Sequence, residues 1–318
     1  MTNATRQLKT TINDELGKIL TGIDELATII SINIVNNGHF LIGGPTGSGK
    51  TLLANCITHL LGNNTGRLDC RNDTDIVGIV QALSGTVASD PEASVDRHAI
   101  LYLDGLNRLT PNTQSILLLA MEENQLSNHG ISMDLHESFR VIASYDPDCY
   151  DGTYPLINAL LDRFEASVNM TYQNKESETA ILKNCDLARA RVNNNIESVI
   201  RPLGTDQLDT AAKEVSEVSV SETVYQYIAE LMARFRSHAE LMPGISHRAG
   251  QSLLNAARVH ALLSERDYVN PDDIVSVAQH CLVHRLRLTS DALLDGVQLE
   301  DIIQAILEQC PTTSYEAN

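Results

Sequence analysis

Short apolar runs alternate with helical repeats along the first half of the chain. The apolar runs lie at residues 39–43, 66–70, 99–104, 139–144 and 166–170. Each has the length of a buried strand, and the apolar residues between them recur at helical spacing. A helical stripe from Leu8 to Ile23 also predicts helical structure within residues 1–36. Because strands that alternate with helices form parallel sheets covered on both faces, this half predicts an α/β domain.

Strand signals fade after about Tyr172. Helices are predicted at residues 175–190, 220–236, 247–263 and 271–287. Asn270 followed by Pro271 is typical of a helix start, as is Thr110 followed by Pro111 in the first half. The polar stretch 193–219 is predicted to be a loop or a weak helix. We therefore expect an α/β domain of residues 1–172 and a helical lid domain of residues 173–318.

Composition restricts the classes of function. At 43% hydrophobic residues, the 318-residue chain can bury a sizeable core. The formal net charge is −18, there is no tryptophan, and aromatic residues make up only 4%. A generic nucleic-acid binder would be basic and would offer stacking surfaces. We therefore expect no nucleic-acid partner and rank DNA helicase activity lowest.

The six cysteines are far apart and form no C-x-x-C pair. This spacing argues against a zinc site and against a disulfide framework. The chain shows no signal-peptide pattern, and none of its apolar runs approaches the roughly 20 residues needed to span a bilayer. We expect a cytoplasmic protein without membrane insertion.

A glycine-rich segment joins the first predicted strand to the next helix. It reads Gly44-Pro45-Thr46-Gly47-Ser48-Gly49-Lys50-Thr51 and fits the phosphate-loop pattern G-x-x-x-x-G-K-[ST]. In such a loop the backbone N–H groups and the helix N-terminus surround the phosphates. Lys50 is expected to reach the β- and γ-phosphates, and Thr51 to ligate Mg²⁺. The alternative is a glycine-rich turn that binds nothing. The order strand, loop, helix favours binding of ATP with Mg²⁺.

The apolar run at residues 99–104 ends in the carboxylate of Asp104. In proteins with a phosphate-binding loop, such an aspartate supports Mg²⁺ together with the loop threonine. Taken alone, Asp104 could be an ordinary acidic residue at a strand end. The complete loop upstream favours the magnesium role.

Further segments extend the pattern well past the loop. They include LDGLNR at 103–108, GTYP at 152–155, LLDRF at 160–164 and GISHR at 244–248. Shorter matching segments lie at residues 22–25, 37–39, 75–78, 118–123, 266–269, 271–273 and 284–286. With these ordered segments, the chain resembles the MoxR group of AAA+ ATPases over nearly its whole length.

The resemblance implies a ring-forming homo-oligomer, expected to be a hexamer, with nucleotide bound between subunits. It implies that Arg163 is an arginine finger that reaches a neighbour's γ-phosphate and that Arg248 is a lid arginine that senses nucleotide. It also implies a chaperone that remodels or activates a client protein or complex, with a partner bearing a von Willebrand A domain. Asn107 and Arg108 match an Asn-Arg pair of the family, for which the sequence supplies no role.

Two positions depart from the family pattern. Gly105 stands where the family has the glutamate that polarises the attacking water. Asp146 stands where the family has an asparagine. An ionised carboxylate can only accept hydrogen bonds, whereas an amide can also donate to phosphate or water. We therefore expect weakened ATP hydrolysis with ATP binding retained. Glu122 and Glu123 are more than a dozen residues further on, beyond the predicted helix that starts at residue 111, and are not expected to substitute.

These observations leave three functions open. The first is a working MoxR-type chaperone. The second is a degenerate ATP-binding scaffold subunit without significant turnover. The third is a subunit similar to those of magnesium chelatase, which shares the LLDRF segment and is ranked lower because the GTYP and lid segments resemble MoxR.

Overall fold

A computed structural model of the protein describes residues 4–20, 23–62, 65–84, 99–128, 131–172, 179 and 196–312. Seven strands lie within these residues. They are β1 (His39–Gly43), β2 (Thr65–Asp69), β3 (Ile100–Asp104), β4 (Gln125–Asn128), β5 (Ile131–Asp134), β6 (Arg140–Ser144) and β7 (Phe164–Asn169). Five of them form a parallel sheet in the order β2-β3-β6-β1-β7, while β4 and β5 form a separate antiparallel hairpin. The predicted α/β class is confirmed.

Both faces of the sheet are buried. Along β1, Phe40 and Ile42 belong to one hydrophobic cluster, whereas Leu41 belongs to the cluster on the opposite face. Successive side chains of a strand point to opposite faces, so a strand that is apolar throughout must be covered on both sides. This packing explains why the strands appear in the sequence as continuous apolar runs.

Six helices accompany the strands in the first half. They are α1 (Ala4–Gly17), α2 (Asp24–Val35), α3 (Lys50–Leu60), α4 (Ile76–Ser84), α5 (Pro111–Glu123) and α6 (Asn158–Leu161). Helix α5 begins as predicted: Thr110 Oγ1 accepts a hydrogen bond from Thr113 N, and Pro111 occupies the first turn. Glu122 and Glu123 form the last turn of α5 rather than lying beyond it.

Helices also make up the described part of the second half. They are α7 (Ile196–Val199), α8 (Thr205–Ser216), α9 (Glu222–Ser237), α10 (His247–Leu263), α11 (Pro271–Leu282), α12 (Ser290–Leu294) and α13 (Leu299–Gln309). Helix α11 has a capping box in which Asn270 and Asp273 exchange hydrogen bonds with each other's backbone. A 3₁₀ turn, Val283–Arg285, takes the place of the predicted last turn. The predicted helical character of this region is confirmed.

The prediction for residues 193–219 is wrong in part, because α8 is a regular helix of 12 residues. Its buried residues Ala211 and Val215 are four positions apart. The carboxylate of Glu214 accepts hydrogen bonds from the backbone N–H groups of Ala4 and Thr5 at the start of α1. Contacts with α1 therefore stabilise a helix whose own apolar stripe is sparse.

The β4–β5 hairpin is not predicted by the sequence pattern. The predicted helix at 175–190 lies outside the described residues except for residue 179, and the domain boundary near Tyr172 stays a prediction. None of the helices among the described residues combines the length and the apolar composition of a membrane span.

Candidate functional site

The candidate site lies at the carboxyl-terminal edge of the parallel sheet. Strands β1, β3 and β6 end there at Gly43, Asp104 and Ser144, and residues 44–49 connect β1 to α3. A cavity of ≈ 380 Å³ opens between this loop and the ends of β3 and β6. Ligands of open α/β sheets bind outside the carboxyl ends of the strands, so this cavity is the expected position of a ligand.

The loop backbone has a conformation that depends on glycine. Gly44 has φ +140°, and a Cβ atom there would lie 2.2 Å from the carbonyl oxygen of Met170. Gly49 has φ +95° and leads directly into α3. The hydroxyl of Ser48 is buried and has no hydrogen-bond partner among the described residues. Both the tight backbone and the unpaired buried hydroxyl fit a loop built to surround phosphate oxygens.

Lys50 crosses the loop from the first turn of α3. Its Nζ donates to the carbonyl oxygens of Gly44 and Pro45 at 2.6 and 2.7 Å. Burial lowers the pKa of Lys50, and the carboxylates of Asp146 and Asp104 oppose this shift. The sequence assigned the lysine and both aspartates to one site, and the structure brings them together around one cavity.

Thr51 and Asp104 are in direct contact across the cavity. Thr51 Oγ1 donates to Asp104 Oδ2 at 3.1 Å. Mg²⁺ prefers oxygen ligands such as a hydroxyl and a carboxylate, so this pair fits the predicted magnesium site. Among the described residues, no group of three or more His, Cys, Asp or Glu side chains forms an additional metal-binding cluster.

Two residues that hold Asp104 were not predicted from the sequence. Ser144 Oγ donates to Asp104 Oδ1 at 2.8 Å and accepts from the backbone N–H of Gly105 at 3.1 Å. Arg67 Nη2, on β2, donates to Asp104 Oδ2 at 3.2 Å and also pairs with Asp69. The parallel register of β2 with β3 sets Asp69 opposite Asp104, which places Arg67 within reach. Without that register, no sequence pattern singles out Arg67 or Ser144.

Gly105 has a left-handed backbone, with φ 84° and ψ 53°. It leads into a 3₁₀ turn, Leu106–Arg108. A Cβ atom on residue 105 would lie 3.2 Å from Cδ of Arg108. A glutamate at this position would therefore need both a strained backbone and a displaced Arg108.

Asp146 contacts the loop. Its Oδ2 accepts a hydrogen bond from Thr46 Oγ1 at 2.8 Å. Burial alone would raise the pKa of Asp146, but the hydrogen bonds from Thr46 and from the backbone of Asp148, together with the charge of Lys50, lower it. The carboxylate is therefore ionised at neutral pH and acts only as an acceptor.

Asn107 connects two sides of the cavity. Its buried side chain donates from Nδ2 to the backbone carbonyl of Asp146 at 2.8 Å. The backbone carbonyl of Asn107 accepts from Tyr154 N at 2.7 Å. The asparagine to which the sequence assigned no role therefore links the end of β3 to the chain after β6.

Arg163 and Arg248 lie away from this cavity. Arg163 precedes β7, whose first residue Phe164 pairs with His39 at the start of β1. The five residues of β1 span about 16 Å, so Arg163 lies at the edge of the sheet opposite the loop. Both guanidiniums contact Glu122, with Arg248 Nη2 at 3.8 Å from its Oε1. The structure therefore brings the two arginines together and separates them from Lys50.

Comparisons with known proteins agree with this geometry. Residues 39–166 match the ATPase family associated with various cellular activities (AAA), and residues 233–306 match the AAA lid domain. The chain is similar to the YeaC protein of Bacillus subtilis (strain 168), with 30% identity over 297 residues that cover 92% of this chain and 91% of that protein. It is also similar to the chaperone MoxR1 of Mycobacterium tuberculosis, with 29% identity over 306 residues that cover 92% of this chain and 79% of the relative.

A solved structure shows the same fold. The crystal structure of a protein from Cytophaga hutchinsonii, named there as a presumed ATPase, superposes with a TM-score of 0.79. It covers 96% of both chains at 27% sequence identity.

Proposed function

The chain belongs to the MoxR group of AAA+ ATPases, and from this membership and the geometry of the loop we propose that it binds Mg²⁺·ATP and acts as a ring-forming chaperone. The observation that carries the proposal is the contact of 3.1 Å between Thr51 Oγ1 and Asp104 Oδ2 at the mouth of a complete phosphate loop. The hydroxyl comes from the start of α3 and the carboxylate from the end of β3, and a divalent-cation site places two such groups side by side.

The polar residues in and around the cavity have separate roles in this proposal. The backbone of residues 44–49 and Lys50 bind the phosphates, and Thr51 and Asp104 hold the cation. When bound there, Mg²⁺ would neutralise charge on the phosphates. Ser144 and Arg67 fix the orientation of Asp104 through the hydrogen bonds given above. Asn107 holds the backbone of Asp146 against the other side of the cavity.

We propose that hydrolysis is slow. Gly105 has no side chain to polarise water, and the ionised Asp146 cannot donate a hydrogen bond to phosphate. Loss of general-base assistance typically lowers a rate by about 10² to 10⁴. Glu122 supports this proposal, because its carboxylate pairs with Arg163 at the opposite edge of the sheet rather than with the loop.

Ring assembly is supported by the positions of Arg163 and Arg248. Neither arginine can reach the loop of its own subunit across the length of β1. If they contact nucleotide, that nucleotide belongs to a neighbouring subunit, as the predicted hexameric ring requires. A protein client and a partner with a von Willebrand A domain complete the proposal by family membership.

An alternative is that the ring binds ATP for assembly only, without useful turnover. The left-handed backbone of Gly105 favours this alternative, because it is a local adaptation to glycine. The magnesium-chelatase alternative has less support, since the relatives that match over nine-tenths of the chain include the chaperone MoxR1.

The test combines an ATP-binding titration with a steady-state turnover measurement on one protein batch. We expect Mg²⁺-dependent ATP binding that weakens by about 10-fold or more in Lys50→Ala, because a charged phosphate contact is lost. Lys213→Ala, at an exposed lysine of α8, is the matched control and should bind as the unmodified chain does. Equal ATP affinity in Lys50→Ala and the unmodified chain would contradict the proposal.

A further inference from the structure

We propose that Arg108 is a phosphate-binding residue of this cavity, that it occupies the space above Gly105, and that it makes the site prefer nucleoside triphosphates to diphosphates. The inference rests on the proposed binding of nucleotide. It assigns a role to one member of the Asn-Arg pair for which the sequence supplied none.

The first observation is the position of the Arg108 side chain. Arg108 lines the same cavity as Lys50, Thr51 and Asp104. Its Cδ and Nε lie 3.2 and 3.5 Å from the position that a Cβ atom on residue 105 would take. The stem of the arginine therefore crosses the face of Gly105 from which any side chain at that position would extend. The backbone hydrogen bond from Arg108 N to Gly105 O, 2.9 Å, fixes the turn that places it there.

The second observation is the charge of this guanidinium. Within the described residues, Arg67 pairs with Asp69 and Asp104, and Arg163 pairs with Glu122. Among the same residues, Arg108 forms no ion pair with a carboxylate. The charge of Arg108 is therefore available to a ligand in the cavity.

The chemistry of the group selects the ligand. A guanidinium stays protonated at all physiological pH values and binds phosphate oxygens through two parallel hydrogen bonds. Arg108 lines the same cavity as the carboxylate of Asp104, which is proposed to hold Mg²⁺ near the β- and γ-phosphates. A nucleoside triphosphate brings its charged γ-phosphate near the Arg108 side chain, whereas a diphosphate has no γ-phosphate. A guanidinium there binds phosphate but cannot accept a proton from water, so it does not replace the missing general base.

The experiment compares ATP and ADP affinities, each measured by calorimetric titration with Mg²⁺, in the unmodified chain and in Arg108→Gln. We expect the Kd for ATP to rise by about 10-fold or more, because a charge-assisted contact is lost. The Kd for ADP should change far less, so the preference for ATP should shrink. Arg71→Gln is the matched control, because Arg71 is an exposed arginine that pairs with Asp73 on the surface. It should leave both affinities unchanged.

Two further variants keep the test decisive. Arg108→Lys retains a positive charge and should retain part of the preference, which guards against a misfolded Arg108→Gln. Gly105→Ala places a methyl group against the arginine stem and should also reduce the preference, although Arg108 is still present. An unchanged ratio of ATP to ADP affinity in Arg108→Gln, with binding still dependent on Lys50, would overturn this inference alone. Absence of nucleotide binding by the unmodified chain would overturn the proposed function and this inference with it.

Discussion

Glu122, in the last turn of α5, forms an ion pair with Arg163 at the edge of the sheet opposite the phosphate loop. The same carboxylate lies 3.8 Å from Nη2 of Arg248, and Oδ2 of Asp162 lies 3.7 Å from Nη1 of Arg248. In one subunit, the two arginines proposed to meet a neighbour's nucleotide are thus neutralised by carboxylates of their own chain. Assembly around ATP would exchange these carboxylates for phosphate.

This relationship predicts the behaviour of Glu122→Gln. Burial lowers the pKa of Arg163, and the neighbouring charge of Arg248 adds to the effect, so the two cations need a counter-charge. Without nucleotide, we expect the variant to melt at a lower temperature than the unmodified chain. With ATP, we expect association at a lower protein concentration, because phosphate no longer competes with Glu122.

Thermal melting and light scattering with and without ATP measure these two effects. Glu123→Gln, one residue further along the same helix turn, is the control. Equal shifts in both variants would show that the counter-charge is not specific to Glu122.

Gly105→Glu is predicted to raise ATP turnover, but by less than a well-placed general base would. The new carboxylate can polarise water, but it must adopt a left-handed backbone and displace the stem of Arg108. We expect a rise well below the roughly 10²- to 10⁴-fold that a well-placed general base supplies. Adding Asp146→Asn should raise turnover further, because an amide can donate to phosphate.

Steady-state phosphate release measures this series. If the unmodified protein already turns over ATP at about 1 s⁻¹ or faster, an ordinary enzyme rate, another group activates the water. In that case Gly105 does not limit ATP hydrolysis.

The protein is predicted to lose stability at mildly acidic pH because of the buried imidazole of His39. Burial lowers its pKa to about 4, and the charge of Arg140 adds to the effect. Its Nδ1 accepts a hydrogen bond from Val141 N at 2.9 Å, which requires an unprotonated nitrogen. The pKa in the unfolded chain is near 6.5, so the unfolded state binds a proton first as the pH falls. The stabilisation is complete above about pH 6.5 and is lost towards about pH 4, at up to about 1.4 kcal/mol per pH unit.

Urea unfolding at about pH 7 and about pH 5.5 measures this dependence. Buried His284, with a pKa lowered to about 3 by burial, should contribute a similar slope. His39→Gln should therefore reduce the pH dependence without abolishing it. His247→Gln, at an exposed position, should leave the dependence as it is. An unchanged slope in His39→Gln would show that His39 does not titrate on unfolding.

Gly38→Ala is predicted to destabilise the junction between β1 and β7. A Cβ atom on Gly38 would lie 2.5 Å from Cβ of Glu165 and 2.9 Å from Nδ2 of Asn33. Relief of such overlap requires a backbone shift, which typically costs about 1–3 kcal/mol. Gly17→Ala is the control, because the nearest atom to its Cβ would be 3.7 Å away. Urea unfolding at neutral pH compares the two, and equal stabilities would contradict the predicted overlap.

The sequence by itself determined the elements whose signals are local. The loop at residues 44–51 specifies its own geometry through glycines at fixed spacing, and Thr110 and Asn270 start their helices through bonds to residues three positions away. A strand that is buried on both faces is a continuous apolar run in the sequence, and this holds whichever strands lie beside it in the sheet. Arg163 and Arg248 were identified through the family resemblance, because no local sequence pattern marks them as site residues.

Only the tertiary structure decided which distant residues meet. Arg67 and Ser144 reach Asp104 because β2, β3 and β6 pair in a fixed register, and register depends on the packing of whole faces. The shared contact of Arg163 and Arg248 with Glu122 depends on how the lid packs against α5 and β7. Contacts with α1 explain why α8 is a regular helix rather than the loop or weak helix that the sequence predicted. Long-range pairing of this kind comes from the packing of many residues together, and no short window of sequence contains that information.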